Sequence, residues 1–330
     1  MPLFSTAEGV KRSPAGHRPA PDPDEPALWK LVGNTPLIPL KVGSAGSVGS
    51  HLFVKAEWFN PAGSVKDRPA RHILRVGVRN GYLPARRLLD ASSGNTAVAY
   101  AALGAAAGVG VTVCVPSNVS SERRTLLRTH GAELLETDPL EGSDGAIRQA
   151  REMAERSPER YWYADQYGNP ANPAAHYETT GPEIWQETRG TVTHLVAGLG
   201  TSGTLMGTGT YLKERNADIV IVGVQPSGPF HGLEGMKHLE SALVPAIYDP
   251  GRIDRTIFVD TESADERVRG LATSTGLFVG WSSGAAIVAA EQVLGEQHDM
   301  PPVVVVVAPD GGSRYLSENR RLFGSDHGSR

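Results

Sequence analysis

Asn60-Pro61-Ala62-Gly63-Ser64-Val65-Lys66-Asp67-Arg68-Pro69 is the stretch around which this chain is organised. The segment before it, His51-Leu52-Phe53-Val54-Lys55-Ala56, alternates in polarity and reads as a strand. Ala70 to Val76 reads as a helix, with Pro69 tolerated in its first turn. Lys66 therefore stands where a turn becomes a helix N-terminus. The positive end of the helix dipole disfavours an ammonium group there. A lysine so placed gives up its proton more easily, and a neutral amine can attack an aldehyde. The plain alternative is a solvated surface lysine. Lys55 is the competing nucleophile, but it sits on the strand and lacks the turn.

The chain has 330 residues, 40% of them hydrophobic, enough for one large or two medium domains with a real core. A net charge of −4 gives no reason to expect nucleic acid or an anionic membrane surface as partner. The single cysteine, Cys114, excludes an internal disulfide framework, and its place in Val111-Thr112-Val113-Cys114-Val115 reads as a buried strand position. The ten histidines show no metal-ligand spacing. His176 reads as a structural hydrogen-bonder. No apolar run is long enough for a spanning helix, and no signal or transit segment is recognisable, so a cytoplasmic location is expected.

Residues 1 to 28, rich in Pro, Gly and charge, read as an extended arm. From Leu52 onward, strand-like and helix-like segments alternate, the pattern of an α/β fold with mostly parallel strands. Leu88 to Ala91 and Val111 to Val115 read as strands; Thr96 to Gly108 and Ser120 to Arg128 read as helices, the latter opened by a serine cap. Thr191 to Ala197, Ile219 to Val224 and Val303 to Val307 are apolar enough for central strands. Ala264 to Thr273 and Gly284 to Gly295 read as helices. With no linker between halves, two interleaved domains are expected, with the active site between them.

Three further turns carry polar groups. Gly198-Leu199-Gly200-Thr201-Ser202-Gly203-Thr204 joins a strand to a helix and reads as a phosphate cradle, its N–H groups and hydroxyls facing an anion. Gly198, Gly200 and Gly203 also satisfy the dinucleotide fingerprint. The next strand, however, ends in Gln225-Pro226 and offers no carboxylate for a ribose. Asp90-Ala91-Ser92-Ser93-Gly94-Asn95-Thr96 is a strand-to-helix turn that would give an N-cap at Asn95 in any protein; it equally offers a donor array for a small carboxylate. Gly280-Trp281-Ser282-Ser283-Gly284 is a fourth turn of the same kind.

In this order and combination, the stretches resemble the fold-type II pyridoxal-phosphate enzymes of the cysteine synthase and cystathionine β-synthase family. Val32-Gly33-Asn34-Thr35-Pro36-Leu37, Gln166-Tyr167-Gly168-Asn169-Pro170-Ala171-Asn172, Thr179-Thr180-Gly181-Pro182-Glu183-Ile184-Trp185 and Tyr315-Leu316-Ser317 extend the likeness over residues 30 to 320. The resemblance implies two open twisted α/β domains with the cofactor between them. A larger one would span 29–50 and 179–330, and a smaller mobile one 51–178. It implies that Lys66 holds pyridoxal 5'-phosphate as a Schiff base and then serves as base. Gly200, Thr201, Ser202, Gly203 and Thr204 would hold the phosphate, Asn95 the ring hydroxyl and Ser282 the pyridine nitrogen. Ser92, Ser93, Asn95, Thr96 and Gln166 would receive the substrate carboxylate.

A serine at the ring nitrogen makes a weaker electron sink than an aspartate, which suits β-elimination and replacement. The implied reaction is β-replacement on an O-activated L-serine through an α-aminoacrylate, giving L-cysteine with sulfide. The resemblance also implies a homodimer, with a sulfur-carrier protein as a further candidate partner. Three positions depart from the family pattern: Ser92, Ala97 and Trp281, each expected to alter the pocket. Ser227 to Gly235 occupies the place of the family's leaving-group loop. It lacks the arginine common in O-phosphoserine users, its nearest cations being His231, Lys237 and His238. O-acetylserine is therefore expected ahead of O-phosphoserine. Another thiol or an amine as nucleophile, and a catalytically silent homologue that binds a protein partner, stay open.

Overall fold

The computed structural model describes residues 24–41 and 51–316. Strands β1 (Leu37–Leu40) and β2 (His51–Ala56) begin a six-stranded sheet. The chain then leaves it to build a four-stranded one from β3 (Arg87–Ala91), β4 (Val111–Pro116), β5 (Glu133–Thr137) and β6 (Tyr161–Tyr163). It returns through β7 (His194–Gly198), β8 (Val220–Pro226), β9 (Arg255–Val259) and β10 (Val303–Ala308). The strand orders are β1-β2-β10-β7-β8-β9 and β5-β4-β3-β6. Every pairing is parallel except β1 with β2.

The helices are α1 (Ala27–Lys30), α2 (Asp67–Arg79), α3 (Asn95–Ala106), α4 (Ser121–Thr129) and α5 (Gly142–Arg156), then α6 (Ala171–Ala175), α7 (Gly181–Glu187), α8 (Gly203–Lys213), α9 (Thr261–Thr275) and α10 (Trp281–Leu294). A π-helical turn, His176–Thr180, joins α6 to α7. None of them is long and apolar enough to cross a membrane.

Parallel strands need crossovers, and the crossovers cover both faces of each sheet. In β10, Val304 and Val306 pack towards α9 and α10, whereas Val305 and Val307 pack towards α7 and α8. This is the period of two acting on a strand that is apolar throughout. Each fully buried valine side chain is worth about 1.5–3 kcal/mol, which explains the unbroken valine run at the sheet centre. In the smaller sheet, Leu88, Val111 and Val113 pack against α2 and α3, while Leu89, Ala91 and Cys114 face α5.

The expected strands are all present, with ends shifted by up to three residues. The structure corrects two sequence assignments. His51–Ala56, placed by sequence in the smaller domain, pairs in register with the whole of β10, Val303 to Ala308. β10 runs parallel to β7 on one side, and β2 supplies its parallel neighbour on the other before the chain departs. The arm assigned to residues 1–28 is also too long. Glu25 bonds Arg75 at 2.6 Å, and α1 already begins at Ala27. The rest of the arm, residues 1–23, and Ser317 of the last motif lie outside the described residues.

Candidate active site

Four helix N-termini meet in one cavity, at the carboxyl ends of parallel strands, where open α/β sheets place ligands. Lys66 precedes α2, Asn95 opens α3, Ser202 precedes α8, and Ser282 lies in the first turn of α10; all four line the cavity. The aligned N–H ends make this an anion-attracting place.

Lys66 is fixed from both sides. Its own N–H donates to Ser64 Oγ at 3.2 Å, and the preceding Val65 N–H donates to Pro309 O at 2.8 Å, just past β10. The side chain opens onto the cavity, yet enough protein surrounds the amine for burial to lower its pKa below the ordinary lysine range. The nearby Asp310 carboxylate partly opposes that lowering. Burial, more than the helix dipole invoked from sequence, therefore favours the neutral amine. Lys55 is out of contention. It is fully buried elsewhere, bonding Thr35 O at 2.6 Å and pairing with Glu187 at 2.7 Å and Glu183 at 3.0 Å.

The wall formed by Gly200, Thr201, Ser202 and Thr204 has the features of a phosphate cradle. A Cβ on Gly200 would collide with the Gly235 carbonyl, and one on Gly203 with the Asn172 side chain, so the backbone can lie this close only with glycine. Ser202 adopts φ 69°, a costly conformation for a residue with a side chain. Its Oγ is buried and has no hydrogen-bond partner within the protein. An unpaired buried hydroxyl is expensive unless a ligand completes it. Thr201 Oγ1 accepts from Asn172 Nδ2 at 3.2 Å and from Gly203 N at 3.4 Å. Gly203 alone among the expected site residues does not line the cavity; it contributes this N–H and the start of α8.

Opposite stands the loop from Ser92 to Thr96. Ser92 Oγ accepts from the N–H groups of Gly94 and Ala97, both at 3.3 Å. Thr96 Oγ1 donates to Gln166 Oε1 at 2.7 Å, and Gln166 Nε2 donates to Ala91 O at 2.9 Å. Ser93 also lines the cavity. Asn95 is not the N-cap expected from sequence. Gly94 takes that place without a side-chain cap, and the Asn95 amide instead donates to Asp310 Oδ2 at 2.6 Å while accepting from Arg314 at 3.0 Å. Trp281 and Ala97, two of the three departures from the family pattern, do not line the cavity. The buried Trp281 indole bonds Asp265, and its ring meets Tyr315 edge-on.

Sequence reasoning missed several neighbours. Asp310, fully enclosed, has its pKa raised by burial, with bonds from Tyr315 and Asn95 opposing. Its signal was a carboxylate just past the end of an apolar parallel strand. Asn172 ties the two walls, donating to Gln166 O at 2.8 Å as well as to Thr201. Arg123, from α4, pairs with Glu234, which lines the cavity; nothing in its local sequence marks it. His176 is held as a structural group, Nδ1 lying 2.9 Å from Thr180 Oγ1, and burial keeps its pKa well below the usual value.

A low-pKa lysine, an unpaired serine hydroxyl at a helix N-terminus and a glycine-lined cradle together fit a phosphorylated aldehyde such as pyridoxal phosphate. A family model described as "Pyridoxal-phosphate dependent enzyme" matches residues 28–310. The chain is 49% identical to a cysteine synthase of Aquifex aeolicus over 88% of its own length and 90% of the relative's. To cysteine synthase B of Pseudomonas aeruginosa it is 40% identical, over 88% and 96% respectively. Among solved structures, a cysteine synthase from Entamoeba histolytica superposes with a TM-score of 0.85 at 32% identity, covering 99% of this chain and 96% of the other.

Proposed function

This chain belongs to the pyridoxal-phosphate-dependent enzymes, and from that premise we infer that it is a cysteine synthase. It replaces the β-substituent of O-acetyl-L-serine with sulfide, yielding L-cysteine and acetate. The observation that carries this reading is the meeting, in one cavity, of Lys66 with its lowered pKa, the Gly200–Thr204 cradle and the Ser92–Thr96 loop. Pyridoxal phosphate, when bound, supplies the electron sink that acidifies the substrate Cα–H and lets the β-substituent leave.

The chain's own groups do the rest. Gly200, Thr201, Ser202, Gly203 and Thr204 would hold the phosphate through N–H groups and hydroxyls, giving the Ser202 Oγ a partner. Asn95 would bond the ring hydroxyl, and Ser282 would offer the ring nitrogen a neutral hydroxyl. Ser92, Ser93, Asn95, Thr96 and Gln166 receive the α-carboxylate, and Gln166 and Thr96 exchange their mutual bond for bonds to it. Lys66 would hold the cofactor through its aldehyde and, as a neutral amine, would take the Cα proton and return it once sulfide has added at Cβ.

The four-stranded unit acts as the smaller, mobile domain, bringing its carboxylate loop onto the cofactor-bearing larger one. The working form is a homodimer in the cytoplasm, with sulfide or a sulfur-carrier protein as sulfur source. The direct test supplies purified protein, reconstituted with pyridoxal phosphate, with O-acetylserine and sulfide, and measures L-cysteine. Absence of product, together with no cofactor absorbance after reconstitution, would overturn the reading in favour of a non-catalytic binding role.

A further inference from the structure

The cavity has a third polar wall, Glu234 to Lys237, on the segment that follows β8. A serine derivative held by its carboxylate at Ser92–Thr96, with Cα towards Lys66, can turn its β-substituent to this wall, beside Ser143 and Tyr167. Two cations stand here, and each is already paired. Arg123 lies behind Glu234 and bonds both of its carboxylate oxygens, one at 2.8 Å. Lys237, nearly buried, pairs with Asp144 at 3.2 Å and lies over the Tyr167 ring. Each pair joins the two sheets' halves of the molecule, since Arg123 and Asp144 belong to α4 and α5.

We propose that Glu234 is the donor-specificity residue of this site. Its ion pair with Arg123 keeps the leaving-group wall electrically neutral, so the site accepts an acylated serine and excludes a phosphorylated one. This rests on the β-replacement reading above. A phosphoseryl group brings about two negative charges at neutral pH and requires an uncommitted cation. In this site it meets a carboxylate first. The Glu234 Oε1 lies so near the carboxylate loop that a Cβ on Gly94 would stand 3.5 Å from it. To reach the Arg123 guanidinium, a phosphate must displace Glu234 and leave that charge beside itself, where the two like charges repel although the Glu234 side chain is partly exposed. An acetyl ester carries no charge and meets no such penalty. The guanidinium is also suited to bidentate phosphate binding once it is uncovered.

The experiment compares wild-type holoenzyme with Glu234→Gln and Glu234→Ala, measuring kcat/KM for O-acetyl-L-serine and O-phospho-L-serine at fixed sulfide. Glutamine preserves volume and hydrogen bonding to Arg123, so a loss of folding in the alanine variant leaves the test intact. The expected result is a wild type that prefers O-acetylserine, with the phosphoserine-to-acetylserine ratio rising about tenfold or more on loss of the charge. Adding Arg123→Gln to either variant should return the ratio towards wild type. An unchanged ratio in both variants, or a wild type that already prefers O-phosphoserine, would overturn the assignment while leaving β-replacement in place. A wild type that uses neither donor overturns both.

Discussion

Asp310 lies beside Lys66, held there by the bridge pairing of Ser64 with Asp310 and by the Val65 N–H bond to Pro309 O. The carboxylate opposes the burial that lowers the lysine pKa. Asp310→Asn removes that opposition, so the Lys66 pKa falls further. The rate of pyridoxal phosphate incorporation into apoprotein, followed against pH, should then shift its rising limb to lower pH. A limb that stays in place or moves upward would show that Asp310 does not act on the amine.

Lys66→Ala should abolish turnover. Loss of a proton-transferring group alone costs about a hundred- to ten-thousandfold, and here the covalent anchor of the cofactor goes with it. The variant should still fold, judged by its circular dichroism, but lack the visible absorbance of a lysine-bound cofactor. Retention of that absorbance would point to another lysine.

Gly200→Ala tests the cradle. Its new methyl group would meet the Gly235 carbonyl, and overpacking of this kind costs about 1–3 kcal/mol. Cofactor affinity, measured by equilibrium titration, should fall by about fivefold to about 150-fold, with little change in the far-ultraviolet spectrum. Unaltered affinity would remove the phosphate from this turn.

The buried ion-pair cluster beneath the lysine turn sets a stability expectation. Arg68 bonds Glu57 at 2.6 Å and Glu183 at 2.8 Å, and Lys55 joins the cluster through Glu183. Breaking such a cluster on one side strands a buried charge, at a cost of about 3–5 kcal/mol. Arg68→Ala should lower the denaturation midpoint accordingly, whereas an exposed pair such as Arg156–Glu152, removed by Arg156→Ala, should change stability by less than about 1 kcal/mol.

Asp90 predicts a pH dependence. Burial raises its pKa to about 7, although N–H groups of Ala91 and Gln166 lower it; Asp165 adds to the rise and the Tyr100 hydroxyl opposes it. A carboxyl raised on folding binds its proton more tightly when native. Its stabilising effect is therefore full below the unfolded pKa of about 3.9 and is lost as pH rises through the folded value. The upper limit of that loss is about 4 kcal/mol. Melting temperature should fall across this window in wild type and fall less steeply in Asp90→Asn, Asp67, also raised by burial to about 7, keeping its share. Equal slopes in both would assign the effect elsewhere.

The strands and helices were legible because their apolar residues carry the period. The turns carrying Lys66, Ser202 and Ser282 were legible because a strand-to-helix turn is written in its own local residue order. What stayed hidden depends on contacts between distant segments. Asn95 looked like a cap because its own neighbours permit one, but Asp310 and Arg314, more than two hundred residues away, claim its amide. Arg123 and Glu234 are unremarkable in their own helix and loop and acquire meaning only face to face. The domain edge failed at β2 for a related reason. Only the register with β10 shows to which sheet that strand belongs.

The strand order has a consequence for synthesis. The four-stranded sheet is contiguous in sequence, from β3 to β6, and its helices α3 to α5 lie within the same span. It can therefore fold while the rest is still being made. The six-stranded sheet cannot, because β10, its link between β2 and β7, is the last described strand to emerge. β2 therefore has its β10 side unpaired until residues 303–308 have been made. Such a long-range closure is slow and exposes a hydrophobic strand edge in the interval. The cavity, in which Asp310 comes to lie beside Lys66, is closed only when the residues that follow β10 have been made.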